Sequence, residues 1–199
     1  MIGKTISHYK IISKLGEGGM GVVYKAEDMK LDRFVALKFL PSHLEEDEKA
    51  LNRLLKEAKA ASKINHPNVC TIHNIEEFED THFIVMEYVN DVTLRQKIKE
   101  RAVHEPPLQY DDAIDYSVQI CKALKAAYDK DIIHRDIKSE NIMINIENVI
   151  KVMDFGLAKL KDEAGLTKTK TAGTIAYMAP EQLQGFERAS ERGIIFFFT

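Results

Sequence analysis

Near Asn90 the hydrophobic period of this 199-residue chain changes from two to between three and four, which predicts a mostly β part up to about residue 89, a linker, and then a mostly helical part. Before the change, Tyr9, Ile11, Val22, Val23, Val35, Leu37 and Phe39 fall in short β-branched or alternating runs, separated by a glycine cluster and by Asp28–Asp32. One helix interrupts them. Leu51, Leu54, Leu55, Ala58, Ala61 and Ile64 recur at three and four, giving a single apolar stripe. Ser42 with Glu45 three residues on predicts a capping signal near its start, and His66-Pro67-Asn68 ends it. Two further strands are predicted near 70–77 and 82–88, with a turn around Glu79-Asp80. Beyond Asn90, Ile114, Val118, Cys121, Leu124 and Tyr128 mark a second amphipathic helix over about 110–130. Ile142–Ile144 and Val149–Val152 flank Ile146-Glu147-Asn148 as a hairpin.

Composition narrows the classes of function. Lys plus Arg number 28 against 31 Asp plus Glu, a net charge of -3. A protein that coats nucleic acid needs a cationic excess to neutralise phosphates, so that class is excluded. With 45% hydrophobic and 30% charged residues the chain reads as soluble and globular. No apolar run reaches the length of a membrane span. The amino end, MIGKTISHYK, lacks the apolar core of a secretory signal, and Ile2 breaks the simplest myristoylation pattern, so a cytoplasmic location is expected. Cys70 and Cys121 are isolated in apolar surroundings and read as small core residues.

Three constellations carry chemistry. Gly16-Glu17-Gly18-Gly19-Met20-Gly21 would let backbone N–H groups approach phosphate oxygens closely. A dinucleotide fold would need a helix to open there. Val22-Val23-Tyr24-Lys25 instead favours another strand, so the loop reads as a hairpin flap, with a plain glycine-rich turn as the alternative. Lys38 ends the apolar run Val35-Ala36-Leu37. A lysine there is either a solvated edge residue or, paired with Glu57 on the following helix, an ammonium aimed at phosphates. Lastly, His134-Arg135-Asp136-Ile137-Lys138-Ser139-Glu140-Asn141 is followed by Asp154-Phe155-Gly156. One carboxylate can orient or deprotonate a hydroxyl, while the other and the amide offer hard oxygen ligands to Mg²⁺.

Taken together and in this order, the motifs resemble those of the protein kinases, specifically the bacterial-type serine/threonine kinases, from about Tyr9 to Glu187 and including Ala179-Pro180-Glu181. The resemblance implies an α+β, two-lobed fold, with an antiparallel β lobe plus one helix over 9–89 after a short leader (1–8), and a helical lobe over 90–187. It implies transfer of the ATP γ-phosphoryl group to protein Ser/Thr hydroxyls, with ATP and Mg²⁺ required and homodimers acting in trans. Gly16, Gly18 and Gly21 would cover the phosphates, Lys38 would contact them and Glu57 would position Lys38. Asp136 would serve the acceptor hydroxyl, and Lys138, a mark of the serine/threonine branch, would neutralise the moving phosphoryl group. Asn141 and Asp154 match the Mg²⁺ ligands. Leu15, Val23, Ala36, Met86 and Met143 match the adenine sandwich, with Glu87 and Val89 supplying linker backbone hydrogen bonds. Thr167, Thr169 and Thr171 lie where regulatory phosphorylation is expected, to be held against Arg135, and Thr174 would shape the acceptor site.

After Glu187 the sequence departs from the family pattern. Ser190-Glu191-Arg192-Gly193 and Ile194-Ile195-Phe196-Phe197-Phe198-Thr199 do not match the segment that opens the family's central helix, so 188–199 reads as a non-family tail, as from a gene cut short or read out of frame. The expectation is a truncated helical lobe with impaired activity. The apolar face of the 110–130 helix would then be wet, at about 1.5–3 kcal/mol per large side chain. A non-catalytic nucleotide-binding or interaction fragment is the alternative reading.

Overall fold

Strand pairing explains why the first half of the chain alternates. The computed structural model describes residues 1–18, 21–79, 81–104 and 110–155, which fall into two compact units. The first comprises Met1–Lys63 and Thr71–Tyr88. Its strands are β1 (Thr5–Ile6), β2 (Tyr9–Gly18), β3 (Gly21–Asp28), β4 (Arg33–Phe39), β5 (Ile72–Phe78) and β6 (Thr81–Glu87). They form one antiparallel sheet in the order β1-β2-β3-β4-β6-β5. Alternate residues of five strands meet on one face: Ile6, Tyr9, Ile11, Ala26, Val35, Leu37, Phe39, Phe83 and Val85 are all buried, with Tyr24 and Phe78 packed on them. Phe39 stacks on Phe83 at 5.1 Å, and Tyr9 meets Phe83 edge-on. Burial first, then the hydrogen bond its hydroxyl donates to Glu76 Oε1 (2.9 Å), push the Tyr9 phenol well above its usual range, so it remains a neutral donor.

The β3–β4 turn is organised by Asp28, which is 1% exposed. Its Oδ1 accepts the N–H groups of Lys30 and Leu31, both at 3.1 Å, and its carboxylate pairs with Arg33 Nε at 3.7 Å.

Two helices complete this unit, α1 (Ser42–Glu45) and α2 (Glu48–Ala61). The Ser42/Glu45 capping signal does not cap. α1 starts after Pro41 with no side-chain cap, and the Glu45 carboxylate goes instead to His82, accepting its backbone N–H at 2.7 Å and lying 2.9 Å from its Nδ1. α2 is capped by Asp47, whose Oδ1 accepts from the N–H groups of Lys49 and Ala50. Leu54, Ala58 and Ala61 form its buried stripe, as the periodicity predicts.

Among the described residues, the second unit contains Ile64–Cys70 and the chain from Val89 to Phe155. Strands β7 (Asp91–Thr93), β8 (Ile142–Asn145) and β9 (Ile150–Val152) form a small sheet in that order, with the helices α3 (Leu94–His104) and α4 (Tyr110–Tyr128). A reciprocal box starts α3: Thr93 Oγ1 accepts from Gln96 N, and Gln96 Oε1 accepts from Thr93 N. The segment after the α2 helix joins this sheet, Asn68 O accepting from Val152 N and Cys70 N donating to Val152 O, both at 2.9 Å.

Of the stripe that its sequence marks, α4 buries Leu124 alone, and the rest is exposed, as expected for a wet apolar face. Tyr116, Ile120, Ala123, Leu124 and Ala127 are buried, whereas Ile114, Val118 and Tyr128 are exposed. Gln119 sets this orientation by accepting from Ile150 N (2.8 Å) and donating to Asn148 O (3.2 Å), which lays that side of the helix on the β8–β9 hairpin. The cysteine reading is corrected with it: Cys121 is exposed and Cys70 only half-buried, so neither is a core residue. Among the described residues, no helix is long and apolar enough to cross a membrane.

Candidate active site

Within the first unit, the sheet face opposite the aromatic core gathers the expected nucleotide-binding residues. The register pairs Val23 with Lys38 and Ala36 with Met86, so Val23, Ala36, Lys38 and Met86 stand on one face of three adjacent strands. Ala36, Lys38 and Met86 are 4–6% exposed. Lys38 is therefore not a solvated edge residue: β4 lies between β3 and β6, and the side chain is enclosed. Glu57 lies half-buried on α2 with its Oε2 shielded from solvent. At the end of β6, Glu87 N donates to Thr71 O (2.8 Å) while Glu87 Oε2 accepts from Thr71 N (3.2 Å), fixing the strand end before the linker.

The flap glycines differ in kind. A Cβ on Gly16 or Gly18 would meet nothing within 4 Å, leaving room beside the backbone. Gly21 has φ +106°, and a Cβ there would collide with the Phe39 carbonyl oxygen on β4. Its lack of a side chain is demanded by the sheet itself. Leu15, in an irregular stretch of β2 between Lys14 and Gly16, is 47% exposed.

The second unit holds the acid, amide and ammonium groups. His134, 3% exposed, fixes the loop from both ring nitrogens. Nδ1 faces the Asp136 N–H (3.3 Å) and must accept, while Nε2 faces the Met153 carbonyl (2.7 Å) and must donate; those partners select the neutral Nε2–H tautomer. Its ring also meets Phe155 edge-on at 4.7 Å. Asp136, 7% exposed, has its Oδ2 at 3.1 Å from Lys138 Nζ and accepts from Asn141 Nδ2 at 3.1 Å. Asn141 Nδ2 also donates to Asp136 O (2.8 Å), so the amide nitrogen turns inward and Oδ1 is the atom left to act as a ligand. Ser139–Asn141 forms a single 3-10 turn, tied to α3 by the Arg95–Glu140 ion pair at 2.9 Å. Arg135 (φ +67°) and Asp154 (φ +56°) both adopt left-handed backbone, a strained conformation that clusters at functional loops. Met143 is half-buried on β8, and Val89, 8% exposed, opens the linker.

These donors fit Mg²⁺. Asn141 Oδ1 and the Asp154 carboxylate are hard oxygens, with no imidazole or thiolate among them. The structure thus brings Asp136, Lys138 and Asn141 together in one loop, and Val23, Ala36, Lys38 and Met86 on one sheet face. Thr167, Thr169, Thr171 and Thr174 lie outside the described residues, as does Gly156. Sequence reasoning missed Glu140 as an anchor of the loop, although it stands between Lys138 and Asn141. It also missed the double role of His134, whose signal was its place two residues before Asp136.

Residues 9–193 match the family model described as the protein kinase domain. The chain belongs to the protein kinase family. This kinase chain is 40% identical over 187 residues to serine/threonine-protein kinase PrkC of Bacillus subtilis, covering 93% of this chain and 28% of that protein. It is 39% identical over 184 residues to serine/threonine-protein kinase PknB of Mycobacterium tuberculosis, covering 89% and 29%. The kinase chain thus spans less than a third of the length of these curated relatives. The crystal structure of the Mycobacterium tuberculosis PknI kinase domain superposes with a TM-score of 0.69 at 25% identity, over 79% of this chain and 61% of that one. The fold is the expected α+β kinase fold.

Proposed function

We propose that this protein transfers the γ-phosphoryl group of ATP to serine or threonine hydroxyls of other proteins. The observation that carries the reading is the buried Asp136 carboxylate, held by both Lys138 Nζ and Asn141 Nδ2 within one short loop. In the proposed step the acceptor oxygen bonds to the γ-phosphorus as its bond to the β–γ bridging oxygen breaks and ADP leaves. Asp136 orients the hydroxyl and takes its proton. Lys138, already beside Asp136, spreads positive charge over the moving phosphoryl group. Lys38, positioned by Glu57, meets the ATP phosphates under the flap glycines Gly16, Gly18 and Gly21. Leu15, Val23, Ala36, Met86 and Met143 enclose the adenine, and Glu87 and Val89 meet its edge with backbone groups. Mg²⁺, held by Asn141 and Asp154, would screen the charge between the β- and γ-phosphates.

The same reading assigns regulatory phosphorylation to Thr167, Thr169 or Thr171, acceptor-site shaping to Thr174, action in trans between two copies, and a cytoplasmic catalytic region. Mass spectrometry after incubation with Mg·ATP should find phosphate within 160–172; its absence there would remove the regulatory part.

The test of the activity is transfer of γ-labelled phosphate to a serine- and threonine-rich acceptor protein. Asp136→Asn should lose about 10²–10⁴ in rate while retaining the wild-type melting temperature. Transfer unaffected by Asp136→Asn would refute the assignment. Mg·ATP binding without transfer in the wild type would favour the non-catalytic nucleotide-binding alternative.

A further inference from the structure

On the face of the first sheet that the proposed function assigns to the nucleotide, one step outward from Ala36 and Met86, three side chains form a unit that none of the kinase motifs includes. Lys25 pairs with Ala36 in the β3–β4 register and so shares its face; Phe34 lies two residues before Ala36, and Tyr88 two after Met86. The Lys25 Nζ stands 4.3 Å from the Phe34 ring centroid and 4.3 Å from that of Tyr88. The two rings are themselves edge-on, 6.4 Å apart at 73°. Both rings thus turn toward the same ammonium, which their quadrupoles attract. Tyr88 immediately follows Glu87, the last residue of β6, whose backbone is already pinned to Thr71.

We infer that Lys25 is a positioning residue for base recognition: clasped between Phe34 and Tyr88, it holds the Glu87–Tyr88 backbone where that strand end can meet the edge of an adenine ring. The inference rests on the reading of this protein as an ATP-binding kinase and adds a residue through which base affinity is set. Lys25 does not touch phosphate in this scheme. Its effect therefore falls on ligands carrying the base and not on those carrying phosphate alone.

The test is a calorimetric titration of the full chain with Mg·ATP, adenosine and Mg·tripolyphosphate. Lys25→Met should weaken Mg·ATP and adenosine by about two- to tenfold and leave tripolyphosphate unchanged. Lys25→Arg, whose guanidinium also stacks on aromatic rings, should restore the base-carrying ligands. Should Lys25→Met fail to fold, Phe34→Leu supplies the same test from a side chain 52% exposed, and it should give the same split. Equal losses on all three ligands, no loss at all, or no rescue by arginine would overturn the clasp. A wild-type chain that binds neither Mg·ATP nor adenosine would overturn the kinase reading and the clasp with it, whereas intact wild-type binding with indifferent variants overturns the clasp alone.

Discussion

Gly18 and Gly21 face each other across the same hairpin, yet only Gly21 must be glycine for the sheet to form. Gly21→Ala forces a side chain into left-handed backbone and against the Phe39 carbonyl. It should cost about 2 kcal/mol or more, read as a fall in melting temperature. Gly16→Ala and Gly18→Ala enter open space and should leave the melting temperature unchanged while weakening Mg·ATP binding. Asp28 holds the β3–β4 turn just as locally. Asp28→Ala would leave the N–H groups of Lys30 and Leu31 and the Arg33 Nε without their carboxylate, a loss of about 1–3 kcal/mol measurable by urea unfolding. Residue types in the motifs were legible in the sequence. The burial of Lys38 was not, because only the strand order, with β4 flanked by β3 and β6, decides whether a strand-end lysine is wet.

At the scale of elements, a side chain with two available roles takes the one offered from far along the chain, and the cap was misread for that reason. Glu45 leaves the helix cap for His82, and Gln119 turns α4 so that Leu124 faces inward while Val118 faces out. Periodicity located both helices, since stripes at three and four need only local sequence. It could not choose between two apolar faces of α4, because the hairpin that selects one lies beyond it. Asp47→Ala should therefore cost α2 about 1 kcal/mol, and Ser42→Ala should cost much less; thermal melts of the two variants distinguish them.

The His66-Pro67-Asn68 segment gives a pH-dependent element. Partial burial, then Lys122 and Lys151, hold the His66 pKa below its ordinary 6.5, and its Nδ1 accepts the Asn68 N–H at 3.2 Å. The folded chain thus binds fewer protons than the unfolded chain between the two pKa values. Stability contributed by neutral His66 is present above about pH 6.5 and is lost as pH falls through the lowered pKa. The melting temperature should climb with pH across that interval, and His66→Gln should flatten the climb. An unchanged slope in His66→Gln would assign the dependence to other groups.

For the whole molecule, the change of period near Asn90 corresponds to the passage from the large sheet to the second unit at Tyr88 and Val89. Among the described residues, Ile64–Cys70 breaks this simple order: it hydrogen-bonds to β9 and thereby belongs with residues far along the chain. No periodicity announces such a pairing, because its partner strand lies some eighty residues away, at Ile150–Val152. The proposed function assigns the ATP phosphates to Lys38 and their Mg²⁺ to Asp154. Calorimetric titration of the full chain with Mg·ATP, alongside Lys38→Met and Asp154→Asn, tests this most directly. The account predicts one saturable, magnesium-dependent site that either substitution weakens by at least about tenfold. Binding that survives both substitutions, or a wild-type chain that takes up no Mg·ATP, would contradict it.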